Sequence, residues 1–107
     1  MATGGAQANL VVIKPGHLAL AGSLGFDTVT ALWPACRSAL AGVARGGSLQ
    51  VSLTGVSHSD SAGLSLLVSW LSAARAAGVS LHYTQVPARL LGLARISEVD
   101  RLLLPEG

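Results

Sequence analysis

Cysteine is almost absent from this 107-residue sequence, in which Cys36 is the only one. A single cysteine excludes an internal disulfide bond and a zinc site built from several cysteines. The three histidines, His17, His58 and His82, do not have the spacing of metal ligands. We therefore expect neither a metal site nor a cofactor in this chain.

Charged residues are also scarce, at 11% of the chain, and the seven basic residues are spread singly along it. Nucleic-acid-binding domains concentrate basic residues on one surface, so we expect no nucleic-acid partner. No stretch of about 18 uncharged apolar residues is present, which excludes a membrane-spanning helix. Residues 1–8 contain no basic region leading into an apolar run, so we expect no signal peptide and a cytoplasmic protein.

Hydrophobic residues, by contrast, make up 50% of the sequence, and Leu and Ala are the commonest of them. A chain of this length and composition predicts one globular domain rather than a disordered segment. Residues 1–8 are small and polar and predict a flexible tail. Residues 9–107 are then the domain.

Apolar periodicity predicts both strands and helices within the domain. Residues 10–13 and 18–20 predict a hairpin around a Pro-Gly turn, and residues 49–53 and 79–83 alternate as strands do. Helical spacing begins after Asp27, which is placed as an N-cap, and again near Ser61 and Pro87, with a short last helix. The order β-β-α-β-α-β-α-α predicts an α/β fold with a mixed sheet of about four strands, covered by three to four helices.

The segment between the third strand and the second long helix concentrates polar residues. Residues 54–60 are predicted to be a loop, with Asp60 capping the helix that starts at Ser61. Gly63 in the first helical turn predicts the close approach of another backbone. His58, Asp60 and Ser61 lie within one turn and cannot form a catalytic triad, and there is no G-x-S-x-G motif. We therefore predict no catalytic residues and no enzymatic activity.

The two tryptophans receive different predictions. The helix from 61 to 77 carries two adjacent apolar stripes, which indicates that a second helix or a partner packs on it. We assign Trp70 to the core. Trp33 borders the apolar stripe of the first helix, beside Pro34, and we assign it to the surface, where tryptophan is typical of binding hot spots.

The segment Asp60-Ser61-Ala62-Gly63-Leu64 after a strand, in this order of elements, resembles the STAS domain family. The resemblance covers residues 9–104. Within the family, the chain is most similar to the small STAS subunit of the Mla phospholipid-transport ABC transporter. Four segments carry this likeness: residues 18–24, residues 31–33, residues 60–67, and Gln85-Val86 leading into a Leu-Ala-Arg helix.

This resemblance implies an adaptor that binds and stabilises the ATPase subunit of the transporter, together with its permease. The protein would then lie at the inner face of the inner membrane, attached only through that complex. The implied partner-binding residues are Trp33, His58, Ser59, Asp60, Ser61, Gly63 and Leu64.

Two other functions remain open within the family. In anti-sigma factor antagonists, a serine-kinase anti-sigma factor phosphorylates the serine after the aspartate, and Ser61 occupies that position. The acidic pair typical of antagonists after the second strand is absent here, since residues 22–25 read Gly-Ser-Leu-Gly and the first acid is Asp27. A STAS domain that binds a small ligand or lipid directly is the third function.

Overall fold

The structure is a computed structural model that describes residues 7–103. Its elements follow the predicted order: β1 (Ala8–Lys14), β2 (His17–Leu24), α1 (Val29–Ala41), β3 (Ser48–Ser59), α2 (Ser61–Ala76), β4 (Ser80–Thr84), α3 (Ala88–Ile96) and α4 (Asp100–Leu103). The flexible tail predicted for residues 1–8 falls mainly on residues 1–6, which lie outside the described residues. Ala8 belongs to β1.

The four strands form one mixed sheet in the order β1-β2-β3-β4. β1 and β2 are an antiparallel hairpin, in which Gly16 adopts a positive φ of 81° at the predicted turn. β3 runs parallel to both β2 and β4, so α1 and α2 are the crossover helices between neighbouring strands. The predicted fold class, an α/β domain with a four-stranded mixed sheet and four helices, is confirmed.

The core lies between one face of the sheet and the helices. Alternate residues of β2, β3 and β4 are buried on the face that the helices cover, such as Leu20, Val51 and Tyr83. They pack in one cluster with Cys36 of α1 and Trp70 of α2, and α1 also packs on α2. The prediction of Trp70 as a core residue is confirmed, and α1 is the second helix that the adjacent stripes of α2 indicated.

Two local predictions were wrong. The loop predicted for residues 54–60 is the second half of β3, which continues to Ser59 because β2 pairs with it as far as Leu24. Register irregularities in this pairing accommodate the greater length of β3. The predicted N-cap, Asp27, is also wrong, because α1 begins at Val29 with Thr28 at the cap position. The C-terminal cap of α1 is Gly42.

Among the described residues, no helix combines the length and the apolar character that crossing a membrane requires.

Candidate functional site

Asp60 organises the turn between β3 and α2. Its carboxylate oxygen Oδ1 accepts hydrogen bonds from the backbone N–H groups of Ala62 (2.8 Å) and Gly63 (3.1 Å), as a helix N-cap does. Its own backbone N–H donates to the carbonyl of Leu24 (3.1 Å), which ties the start of α2 to the end of β2. The predicted capping role of Asp60 is confirmed.

The same carboxylate is held in its charged form. Desolvation by the surrounding backbone acts to raise the pKa of Asp60, but the N–H groups of Gly63, Phe26 and Ala62 and the nearby His58 together outweigh it. The pKa of Asp60 therefore lies below its ordinary value of 3.8. The N-cap of α2 thus keeps a negative charge at neutral pH, at the residue that precedes Ser61 in the chain.

Gly63 lets α2 approach β2. A Cβ atom at Gly63 would meet the backbone carbonyl oxygen of Leu24 and would lie 2.8 Å from the Cβ of Leu24. Because real Cβ atoms essentially never come this close, only glycine fits at this point in the helix. The close backbone approach that the sequence predicted is therefore present, and its partner is the last residue of β2.

The loop between β2 and α1 contacts the Asp60 turn. The N–H of Phe26 donates to Asp60 Oδ2 at 3.4 Å, and a Cβ atom at Gly25 would lie only 2.7 Å from the same oxygen. The buried hydroxyl of Thr28 accepts from the N–H of Gly25 (3.0 Å) and donates to the carbonyl of Ser23 (2.7 Å). These contacts hold Phe26 outward, with its side chain 75% exposed.

A groove of about 700 Å³ opens between the N-terminal halves of α1 and α2. Phe26 and the half-buried Trp33 stand on the α1 side, and Ser61 and Ser65 stand on the α2 side. Its lining residues are Phe26, Val29, Thr30, Trp33, Ser61, Ala62, Ser65, Leu66 and Ser69. None of these nine is charged, so a partner that fills the groove desolvates no ion there. We call this surface the α1–α2 groove.

The predicted partner-binding residues divide into two groups in the structure. Trp33 and Ser61 line the α1–α2 groove, and His58 is exposed in a separate depression beside Phe26 and Asp60. Ser59, Gly63 and Leu64 are instead buried within the domain, where they shape the turn and offer little surface to a partner.

Phe26 is the site residue that the sequence reasoning missed. It is the most exposed residue of the groove that carries an aromatic ring, and it borders both the groove and the depression that contains His58. The signal was its position, since a large apolar residue in the Gly-Phe-Asp loop before α1 has no periodic stripe to join.

The chemistry of the site favours binding. Ser61 lines the α1–α2 groove, whereas His58 lines the neighbouring depression together with Ser23 and Asp60. Within residues 7–103, no three His, Cys, Asp or Glu side chains come together to hold a metal ion. What the site offers is a mainly apolar groove with two aromatic rings and four exposed hydroxyl residues, Thr30, Ser61, Ser65 and Ser69.

Comparison with protein-family models identifies the family of this chain. No curated protein matches the sequence. A family model described as "Mlab, STAS domain" matches residues 13–105. The matched range runs from the last two residues of β1 through α4. The match spans the Asp60 turn and both walls of the α1–α2 groove. The chain therefore belongs to the STAS domain family, through the family model described as Mlab.

Proposed function

We propose that this protein is a non-enzymatic adaptor that binds and stabilises the ATPase subunit of a phospholipid-transport ABC transporter. The match to the Mlab model supports this assignment, and STAS domains generally bind and regulate other proteins. The observation that carries the proposal is the uncharged α1–α2 groove, in which Phe26 and Trp33 stand beside Ser61. The protein would reach the inner face of the membrane only through this complex.

Each wall of the groove has a defined part in the proposed contact. Trp33 and Phe26 bury apolar area in the partner, as aromatic hot-spot residues do. Ser61 contributes a hydroxyl at the edge of a dry interface. Asp60 does not need to touch the partner, because its two oxygens are already engaged by the backbone of α2 and of the loop that carries Phe26.

The first test is to remove the Trp33 side chain. We expect Trp33→Ala to weaken binding of the ATPase subunit about thirty-fold or more, equivalent to ~2 kcal/mol. Tagged protein is purified from its native host in mild detergent, co-purifying proteins are identified by mass spectrometry, and affinities are then measured with the purified ATPase. Ile96→Ala is the matched control, because Ile96 is 82% exposed on α3, outside the groove.

An ABC ATPase and a permease that co-purify with the wild type and with Ile96→Ala, but not with Trp33→Ala, would support the proposal. Equal affinity of Trp33→Ala and the wild type, with the fold intact by circular dichroism, would remove Trp33 from the interface.

The second test places a charge at Ser61. Ser61→Asp adds a carboxylate beside the ionised Asp60, in a groove whose lining is uncharged. Desolvating this charge on binding is unfavourable, so we expect weaker binding of the ATPase, with Ser61→Ala close to the wild type. Tighter binding by Ser61→Asp, measured by calorimetry, would contradict this mechanism.

A second candidate function is an anti-sigma factor antagonist regulated by phosphorylation of Ser61. The observation in its favour is that Ser61 is exposed at the first position of α2, where a kinase could reach its hydroxyl. Intact-mass analysis of protein purified from its host separates the two functions. A stoichiometric phosphate on Ser61, together with a co-purifying serine kinase and no transporter, would favour the antagonist.

A further inference from the structure

The outer edge of β1 is a surface that the proposed partner site does not use. β1 is the first strand in the order β1-β2-β3-β4 and is paired on one side only, with β2. Within residues 7–103, no other strand pairs with its second side. Alternate N–H and C=O groups along that side are therefore open to a further strand.

This edge is apolar on both faces of the sheet. Val11, Val12 and Ile13 are 51%, 67% and 63% exposed. Val11 pairs with Ala19 on the face away from the helices, whereas Val12 pairs with Leu18 on the helix face. Three consecutive exposed aliphatic residues on a strand edge form a surface that would gain from being covered.

The features by which proteins usually protect such an edge are missing from most of β1. Its sequence is Ala-Asn-Leu-Val-Val-Ile-Lys, with no proline and with its only charge at the last residue. The register irregularity of the strand lies between Val12 and Lys14, next to the turn. Residues 8–12 are thus regular, uncharged strand, open to edge-to-edge pairing.

We propose that the outer edge of β1 pairs with β1 of a second copy, antiparallel and around a two-fold axis, so that two four-stranded sheets join into one of eight strands. Val11 is the midpoint of β1 and would face its own copy across the axis. Leu10 would face Val12 of the second copy, which sets aliphatic against aliphatic. The two Lys14 residues would lie at opposite ends of the interface, so like charges do not meet.

The opposite edge of the sheet does not offer an equivalent surface. In β4, Leu81 and Tyr83 are buried and the exposed positions are Ser80 and His82. Pairing of β1 with β4 of another copy would therefore bury little apolar area. This difference favours a closed dimer through β1 over an open chain of copies.

The dimer is expected to be weak and independent of the partner site. One strand from each copy covers less than the ~800 Å² per partner of a standard interface, so the dissociation constant should lie on the order of 10⁻⁵ to 10⁻³ M. None of the residues that line the α1–α2 groove belongs to β1. Both grooves of the dimer therefore stay open.

Sedimentation velocity of the full chain, over concentrations from about 10⁻⁶ to 10⁻³ M, tests the proposal. The wild type should change from monomer to dimer with rising concentration. Val11→Lys places two like charges against each other at the two-fold axis and should weaken the dimer at least tenfold. Ile96→Lys is the matched control, since it makes the same exchange at an exposed aliphatic residue on α3, and it should dimerise as the wild type does.

Hydrogen exchange of the wild type provides a measurement that needs no variant. Outward-facing amides of residues 8–14 should become protected at high concentration, and those of β4 should not change. A wild type that stays monomeric at 10⁻³ M, a dimer that Val11→Lys leaves intact, or equal loss in both lysine variants would overturn the proposal. ATPase binding by Val11→Lys should be unchanged, because β1 lies outside the α1–α2 groove. Failure of the dimer proposal therefore does not imply failure of the proposed ATPase binding, or the reverse.

Discussion

At Gly63, the missing side chain matters more than the helix propensity of the residue. A glycine inside a helix ordinarily lowers stability by about 0.5–1 kcal/mol relative to alanine. Here the backbone of Leu24 occupies the space that a Cβ atom would need, and a backbone carbonyl in a paired strand cannot move aside as a flexible side chain can.

We therefore expect Gly63→Ala to lower the free energy of unfolding by about 1–3 kcal/mol, because overpacking outweighs the gain in helix propensity. The measurement is urea denaturation followed by circular dichroism. Gly92→Ala in α3 is the control, since no atom beyond its chain neighbours and its own helix backbone lies within 4 Å of its Cβ position, and it should raise stability by about 0.5–1 kcal/mol. Shifts of the same sign in both variants would contradict the close approach as the cause.

Single residues at the site were predicted unevenly from the sequence. Asp60 and Gly63 were placed correctly, because a cap and a helical glycine each have a local physical signature. Asp27 was wrongly predicted as the cap, because Thr28 takes the cap position. The Thr28 hydroxyl is hydrogen-bonded to the backbone of Ser23 and Gly25, and these bonds depend on how the loop folds. Phe26 was missed, because its exposure follows from the contact of its own N–H with Asp60, 34 residues away.

At the scale of elements, α1 contains a proline in its interior. The helix runs without interruption from Val29 to Ala41 and includes Pro34. Proline has no N–H to donate to the carbonyl four residues earlier, that of Thr30, which is at an exposed position where water can reach it. The helix therefore tolerates Pro34 at a cost in stability, next to the Trp33 that the proposed interface uses.

Restoring the helical hydrogen bond should stabilise the domain. We expect Pro34→Ala to raise the free energy of unfolding by about 1–2 kcal/mol, less than the full helix-interior penalty because alanine also gives the unfolded chain more freedom. Thermal and urea unfolding measure the change. Ser38→Ala, at an exposed position of the same helix, should change stability by about 0.5 kcal/mol or less. A loss of stability in Pro34→Ala would show that the fixed φ of proline suits α1 better than a regular turn.

The order and type of the elements were predictable because apolar periodicity is a local signal, whereas one boundary depended on tertiary pairing. Residues 54–59 are mostly polar and contain Gly55, so the sequence alone favours a loop. In the fold, β2 supplies a parallel partner along this stretch, and Gly55 lies against Ala21 where a Cβ atom would come within 2.9 Å. This pairing overrides local propensity and brings Ser59 and Asp60 next to Leu24, at the end of β2.

At the scale of the whole molecule, one core joins both layers. Trp70 of α2 packs against Tyr83 of β4 with ring centroids 6.1 Å apart, and the Tyr83 hydroxyl donates to the carbonyl of Leu67 at 2.7 Å. Burial raises the pKa of Tyr83 well above its ordinary value, so this donor keeps its proton. Cys36 of α1 lies fully buried in the same cluster. A single cluster of this kind favours unfolding as one cooperative unit.

The thiol of Cys36 should report this cooperative unfolding. Burial raises its pKa from 9.0 to about 12, against a smaller opposing effect of a backbone hydrogen bond, so the folded domain offers almost no thiolate at pH 7–9. We expect labelling by a thiol reagent to be slower than in the urea-unfolded chain by on the order of a thousandfold or more. Stability should be unaffected by this group below pH 9.0 and should fall as the pH rises from 9.0 toward about 12, because the unfolded thiol ionises first. Cys36→Ala should remove this contribution to the fall in stability, so that the fall that remains at alkaline pH comes from other groups such as Tyr83. Rapid labelling of the native domain, or labelling that does not accelerate together with the loss of helical circular dichroism in urea, would show that α1 opens separately from the rest of the core.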